Sequence, residues 1–140
     1  MLALSAPEFI AAAQIVLGEL GYKVHVASNH EDFLTRFTHV QYQVVIVEEC
    51  FTASSLTENT SLSSLQTMPM HQRRHAAVLL LGNSFQSLNP MQAYQQSVHA
   101  VVHPSELASL NQIVQKVAAD NDLFLHIYRD TQLNFAKGKA

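Results

Sequence analysis

Four consecutive β-branched residues, Val44-Val45-Ile46-Val47, constrain the fold more than any other stretch of this 140-residue chain. A strand that is apolar at every position has no face to give to water. It belongs inside a sheet covered on both sides, the usual setting of parallel strands. Ala76 to Leu81 repeats the pattern and stops at Gly82-Asn83. Val98 to Val102 and Leu2 to Ser5 add two more short apolar runs, and Tyr22-Lys23-Val24-His25-Val26 alternates. Five strands are therefore expected.

The segments between them carry helical periodicity. Phe9, Ile10, Ala13, Val16, Leu17 and Leu20 recur at helical spacing after Pro7, and Gly21 follows as a left-handed terminator. Ser5 is the expected N-cap, with Glu8 closing a capping box. Ser28 or Asn29 caps a second helix bearing Phe33, Leu34 and Phe37. A polar loop follows over Phe51 to Ser61, Ser/Thr-rich from Thr52 to Thr60, then a short helix over Leu62 to Met68. Asn89-Pro90 opens another helix through Tyr94 to about Ser97, and His103-Pro104-Ser105 leads into the last one. Strands alternating with helices predict α/β architecture: a three-layer sandwich with helices on both faces of a parallel sheet.

Composition narrows the function. At 48% hydrophobic residues the chain has enough apolar mass for one core of ordinary size. Residues 1–140 read as a single domain, with 120–140 a C-terminal helical extension. The net charge of −3 is scattered and forms no basic face, so nucleic acid is not expected as a partner. Charged residues make up only 14%, against about 25% in typical soluble proteins. A surface so poor in charge favours association. Cys50 is alone and forms no internal disulfide. No apolar run is long enough for a membrane span, and the start Met1-Leu2-Ala3-Leu4 lacks the positive charge of a signal peptide. The expected compartment is the cytoplasm, with no membrane partner.

The five strand–helix units, the Leu20-Gly21-Tyr22 step before the second strand and the His103-Pro104 step after the fifth resemble the response-regulator receiver domain. The likeness runs from about Leu2 to about Ala119 and rests on pattern rather than on a signature peptide. It implies a flavodoxin-like fold with strand order 2-1-3-4-5. Receivers transfer a phosphoryl group to an aspartate ending the third strand, with an acidic pair binding Mg²⁺, a Thr or Ser after the fourth strand and a Lys after the fifth. The acceptor position falls here on Glu48, one methylene longer than Asp and a poor acceptor. The acidic pair falls on Ser5 and its neighbours Leu4 and Ala6. The Thr/Ser position falls on Gly82, beside Asn83, and the Lys position on His103. The aromatic switch position falls on Ala100. The resemblance is thus to a degenerate pseudo-receiver, not phosphorylated at the usual site. A narrower likeness, through Leu80 to Phe85, Asn89 to Tyr94 and Ser97 to Val102, is to a receiver-like domain of bacterial proteins that also carry a zinc ribbon. One cysteine cannot build such a ribbon.

Individual residues leave alternatives open. Glu48 is either a fixed negative charge that mimics phosphorylation or binds a cation, or a strand-end acid that is solvated or paired with His103. Such a pair would respond to pH near neutrality. Glu49 adds one carboxylate to a weak Mg²⁺ site. His71 and His75 are four apart, but Pro69, Arg73 and Arg74 suggest a turn there, and no metal is expected. Glu48 and Glu49 beside Cys50 oppose formation of a reactive thiolate. Gly18, Gly21, Gly82 and Gly138 are the only glycines, too few for a phosphate-binding loop. No cofactor is expected, and no nucleophile–base pair marks an enzyme.

The last helix carries Leu107, Leu110, Val114, Val117, Asn121, Phe124, Tyr128, Thr131 and Phe135 at 3–4 spacing, a heptad-like seam. Either it folds back on its own domain, or it protrudes to pair with a second copy or to feed an adjoining domain, with Asn121 as a register-setting polar contact in the pairing. The expected function is a non-catalytic protein-interaction or dimerisation module of bacterial signalling. Its expected surface is Tyr94, Leu107, Leu110, Phe124 and Tyr128, on the helix from Pro90, the fifth strand and the last helix. Its partner is a protein or a second copy. The rival expectation is a small-molecule or nucleotide sensor, binding in the crevice above Ser5, Glu48, Asn83 and His103.

Overall fold

The computed structural model describes residues 1–52 and 58–136. Residues 53–57, at the heart of the expected Ser/Thr-rich loop, and the last four of the C-terminal extension lie outside the described residues. The sheet consists of β1 (Leu2–Ala3), β2 (Val44–Glu48), β3 (Ala77–Leu81) and β4 (Ala100–Val102), all parallel, in the order β1-β2-β3-β4. The helices are α1 (Pro7–Glu19), α2 (His30–His39), α3 (Thr60–Thr67), α4 (Met70–Arg73), α5 (Pro90–Gln95) and α6 (Leu110–Ala136). A 3₁₀ turn over Pro104–Ser109 leads into α6.

Alternation along the strands builds two cores. Val45 and Val47 point to one face with Val78 and Leu80, where Phe33, Phe37, Leu62 and Leu65 from α2 and α3 cover them. Val44 and Ile46 point to the other with Ala77 and Leu79, under Ala13 and Leu17 of α1 and Leu110, Val114 and Val117 of α6. The continuous apolar run of β2 is thereby buried on both sides, which makes this an α/β sandwich of three layers.

The expectation of five strands is corrected to four. Tyr22 to Val26 makes a single bridge, Leu2 to Val26, on the edge of β1 away from β2. Leu2 N–H donates to His25 O and Ala27 N–H to Leu2 O, both at 2.8 Å. A ladder cannot outrun its partner, and β1 itself is two residues long. Tyr22, Val24 and Val26 pack half-buried against the α1–α6 core instead.

Local signals mostly hold. Pro7 sits in the first turn of α1, and Gly21 follows its C-cap with φ +88°. Asn29 caps α2 by accepting from Asp32 N–H at 2.8 Å. The capping box expected for α1 does not form. Ala6 is the N-cap and makes no side-chain bond, because the Ser5 hydroxyl accepts from Thr52 N–H at 3.0 Å. No break occurs at Asp120-Asn121-Asp122, and α6 runs on for 27 residues, about 40 Å at 1.5 Å per residue.

Candidate functional site

The crevice at the carboxyl ends of the strands is the first place to look for chemistry in an open α/β sheet. The expected residues do converge on this edge, but the side chains of Ser5, Glu48 and His103 bond to backbone groups. Glu48, last in β2, accepts from Ala6 N–H through Oε1 at 3.2 Å, which fixes the entry to α1. Glu49 N–H donates to Leu81 O at 2.7 Å. Its side chain lies over Gly82, so close that a Cβ there would sit 2.7 Å from Glu49 Cβ and 2.5 Å from Oε1. Glycine at position 82 is thus explained by close approach. Asn83 is exposed on the following turn.

His103 is turned to a structural task. Its Nδ1 accepts from Ser105 N–H at 3.1 Å, capping the 3₁₀ turn, and its own N–H donates to Ser87 Oγ at 2.8 Å. The ion pairs among the described residues are Arg36–Asp32, Lys116–Asp120 and His126–Asp130. The expected Glu48–His103 pair is not among them, and with it goes the reading of that pair as a pH sensor. Burial, with the charges of Glu49 and Glu48 added, pushes the exposed Cys50 thiol up. That setting keeps it protonated and weakly nucleophilic.

Sequence reasoning missed Asn59. It is fully buried, and its Nδ2 donates to Glu48 O at 2.9 Å and Glu49 O at 3.2 Å, while Oδ1 accepts from Leu62 N–H at 3.0 Å. One side chain thus ties the end of β2 to the start of α3. Its signal was available: an Asn ahead of an apolar-periodic segment is a good N-cap. Arg73 was also missed as a core residue. It is buried and donates to Leu65 O and Ser97 O, both at 2.8 Å.

The histidine pair separates. His71 is exposed on the one-turn α4, and His75 lies beyond it with its ring stacked on Phe37 at 5.5 Å. Among the described residues no three His, Cys, Asp or Glu side chains are grouped to hold a metal.

The flank formed by α5, β4 and α6 is built differently. A groove of about 500 Å³ runs between α5 and α6, lined by Leu88, Pro90, Ala93, Val117, Asp120 and Phe124 among others. Tyr94 is 81% exposed, and Phe124 is 64% exposed. Leu88, Met91, Leu123, Ile127, Leu133 and Phe135 are also exposed, and none of them was on the expected surface. Three residues expected on this surface are wholly or partly covered there. Leu110 is 1% exposed and belongs to the core under β4, and Leu107 is half-buried against the same core. The α6 seam points at the sheet over its first two turns, so its leading leucines are consumed by the fold. Tyr128 is half-buried too: Arg74 donates to its hydroxyl at 3.2 Å and lies 4.8 Å from its ring centre. Buried Asn121 donates to Arg74 O at 3.4 Å, a contact within the chain rather than across a seam.

No helix among the described residues is long and apolar enough to cross a membrane. Compared with protein families, with curated proteins and with solved structures, this chain has no match.

Proposed function

We propose that the chain is a flavodoxin-like, receiver-like domain that no longer transfers phosphoryl groups and works as a protein-interaction module of cytoplasmic signalling or regulation. The observation that carries this reading is a contrast between two surfaces. In the crevice, Ser5, Glu48 and His103 are bonded to backbone groups, and Glu49 occupies the space over Gly82. On the α5–β4–α6 flank, Tyr94, Met91 and Phe124 stand exposed around an apolar groove. Exposed apolar patches rimmed by polar residues mark protein or membrane interaction sites or ligand-binding grooves. The bridge from Leu2 to Val26 sits where the second strand of a flavodoxin-like order would lie, which supports the likeness of fold.

The test is chemical. Incubation with acetyl phosphate and Mg²⁺ is expected to leave the mass of the intact protein unchanged. Stoichiometric gain of one acid-labile phosphoryl group, mapped to Glu48 or Glu49, would overturn the reading. Thermal stabilisation by a nucleotide or metabolite that disappears in Asn83→Ala or His103→Ala would replace it with ligand sensing.

A further inference from the structure

Resting on that reading, we infer that the partner of the α5–β4–α6 flank is a second copy of this chain, docked two-fold with its α6 antiparallel to the first. The charges along α6 carry the argument. Lys116 pairs with Asp120 at 2.8 Å and His126 with Asp130 at 3.5 Å, each one turn apart on an exposed surface. Read from the amino end, the order is basic, acidic, basic, acidic, with His126 carrying its charge only when protonated. Read backwards, it is the complement. Reversal about Leu123 sets Lys116 of one copy opposite Asp130 of the other, and Asp120 opposite His126. Both pairs share the same centre. The remaining charges, Asp122 and Arg129, fall opposite Phe124 and Val117 and meet no like charge. Parallel pairing would set Lys116 against Lys116 and Asp120 against Asp120, which costs affinity.

The apolar surface agrees with that geometry. Leu123, Phe124, Ile127 and Phe135 are exposed along the carboxyl half of α6, next to the groove lined by Val117, Ala93 and Leu88. Reversal about Leu123 lays the exposed end of each helix beside the groove of the other. With Tyr94 and Met91, these side chains supply on the order of 700 Å² per copy, counting about 150–250 Å² for each aromatic residue in full. A stable interface buries about 800 Å² per partner. The isologous contact closes on itself and leaves no patch to propagate.

Light scattering across a concentration series is expected to give twice the chain mass. Ile127→Asp, at an exposed position, is expected to raise the dissociation constant about a hundredfold with an unchanged circular dichroism spectrum. Lys116→Glu is expected to weaken it about tenfold, and Lys116→Glu with Asp130→Lys to restore it. Spin labels at Gln132→Cys in a Cys50→Ser chain are expected about 30 Å apart, from 1.5 Å per residue on either side of the centre. Labels within about 10 Å, the spacing of adjacent parallel helices, would overturn the antiparallel arrangement. A monomer at every concentration, or a dimer untouched by Ile127→Asp, would overturn self-pairing through this flank. Neither result bears on phosphoryl uptake, so failure here is distinguishable from failure of the interaction reading.

Discussion

At the carboxyl ends of the strands, Ser5, Glu48, Asn59 and His103 each satisfy a backbone group of their own chain. Along α6 beyond Ala119, Leu123, Phe124, Ile127 and Phe135 satisfy nothing. The first region has polar residues bonded to the backbone; the second has apolar residues left exposed. Under the proposed function, the surface that meets a partner lies on the helix flank and not at the strand ends. Within α6 the same contrast appears in miniature, since Leu110, Val114 and Val117 belong to the core and the last turns do not.

The sharpest way to break that comparison is to truncate one side chain in each half of α6. Leu110→Ala removes a fully buried side chain under β4 and is expected to cost about 3 kcal/mol in chemical denaturation. Phe124→Ala, measured at concentrations where single copies prevail, is expected to change stability by less than about 0.5 kcal/mol. Comparable losses would mean that Phe124 is part of the core, and the flank would lose its claim to be a docking surface.

A smaller effect tests the closed crevice. Gly82→Ala drives a methyl group onto Glu49 and is expected to cost about 2 kcal/mol. Adding Glu49→Ala should recover only part of this, because the 2.7 Å approach is to Glu49 Cβ as well as to the carboxylate. Full tolerance of Gly82→Ala would show that the crevice is looser than described, and would revive ligand binding there.

These two experiments also mark what was legible in the sequence. The β2 and β3 runs announced a covered parallel sheet because continuous apolarity leaves no other solution. The α2 cap and the Gly21 terminator followed from local backbone chemistry. The missing fifth strand did not follow, since the alternation in Tyr22 to Val26 says nothing about the length of the neighbour it must pair with. For Leu110 the difficulty was of another kind. A 3–4 spacing marks an apolar stripe but not where the supporting sheet ends, so one seam was read for what is core at Leu110 and surface at Phe124. Glu49 was legible as an acid after β2, yet its packing over Gly82 depends on two strand ends adjacent only in three dimensions.

Acid should weaken both regions by one mechanism. His30, near the crevice, accepts from Ser61 N–H through Nδ1 at 3.1 Å. His99, beside the groove, accepts from Val78 N–H through Nδ1 at 3.0 Å. Burial lowers the pKa of both, with the Arg73 charge also lowering that of His99. Burial lowers the pKa of His75 likewise. Protonation would turn each accepting nitrogen into a donor facing a donor. The unfolded chain therefore binds more protons just below its ordinary histidine pKa of about 6.5. Stability is fully present above that pH and is lost as pH falls through the window down to the lowered values. Melting temperature is expected to fall between pH 7 and pH 5. His99→Asn, which keeps an acceptor for Val78, should remove part of the slope, and an unchanged slope would place the titration elsewhere.

The smallest effect concerns the frame of the groove. Ser97 follows the C-cap of α5 with φ +56°, a left-handed conformation that costs a residue bearing a Cβ roughly 1 kcal/mol relative to glycine. Its carbonyl accepts from Arg73, so the conformation is held from the core side and glycine would meet the same bond. Ser97→Gly is therefore expected to raise stability by about 0.5–1 kcal/mol, read as a higher denaturation midpoint at unchanged slope. Because Ser97 lies at the end of α5 and not in the stripe centred on Leu123, the same substitution should leave self-association unchanged. A variant that stabilised the fold and also shifted the dissociation constant would mean that the contacts of the proposed dimer reach around the end of α5, beyond Tyr94 and Met91.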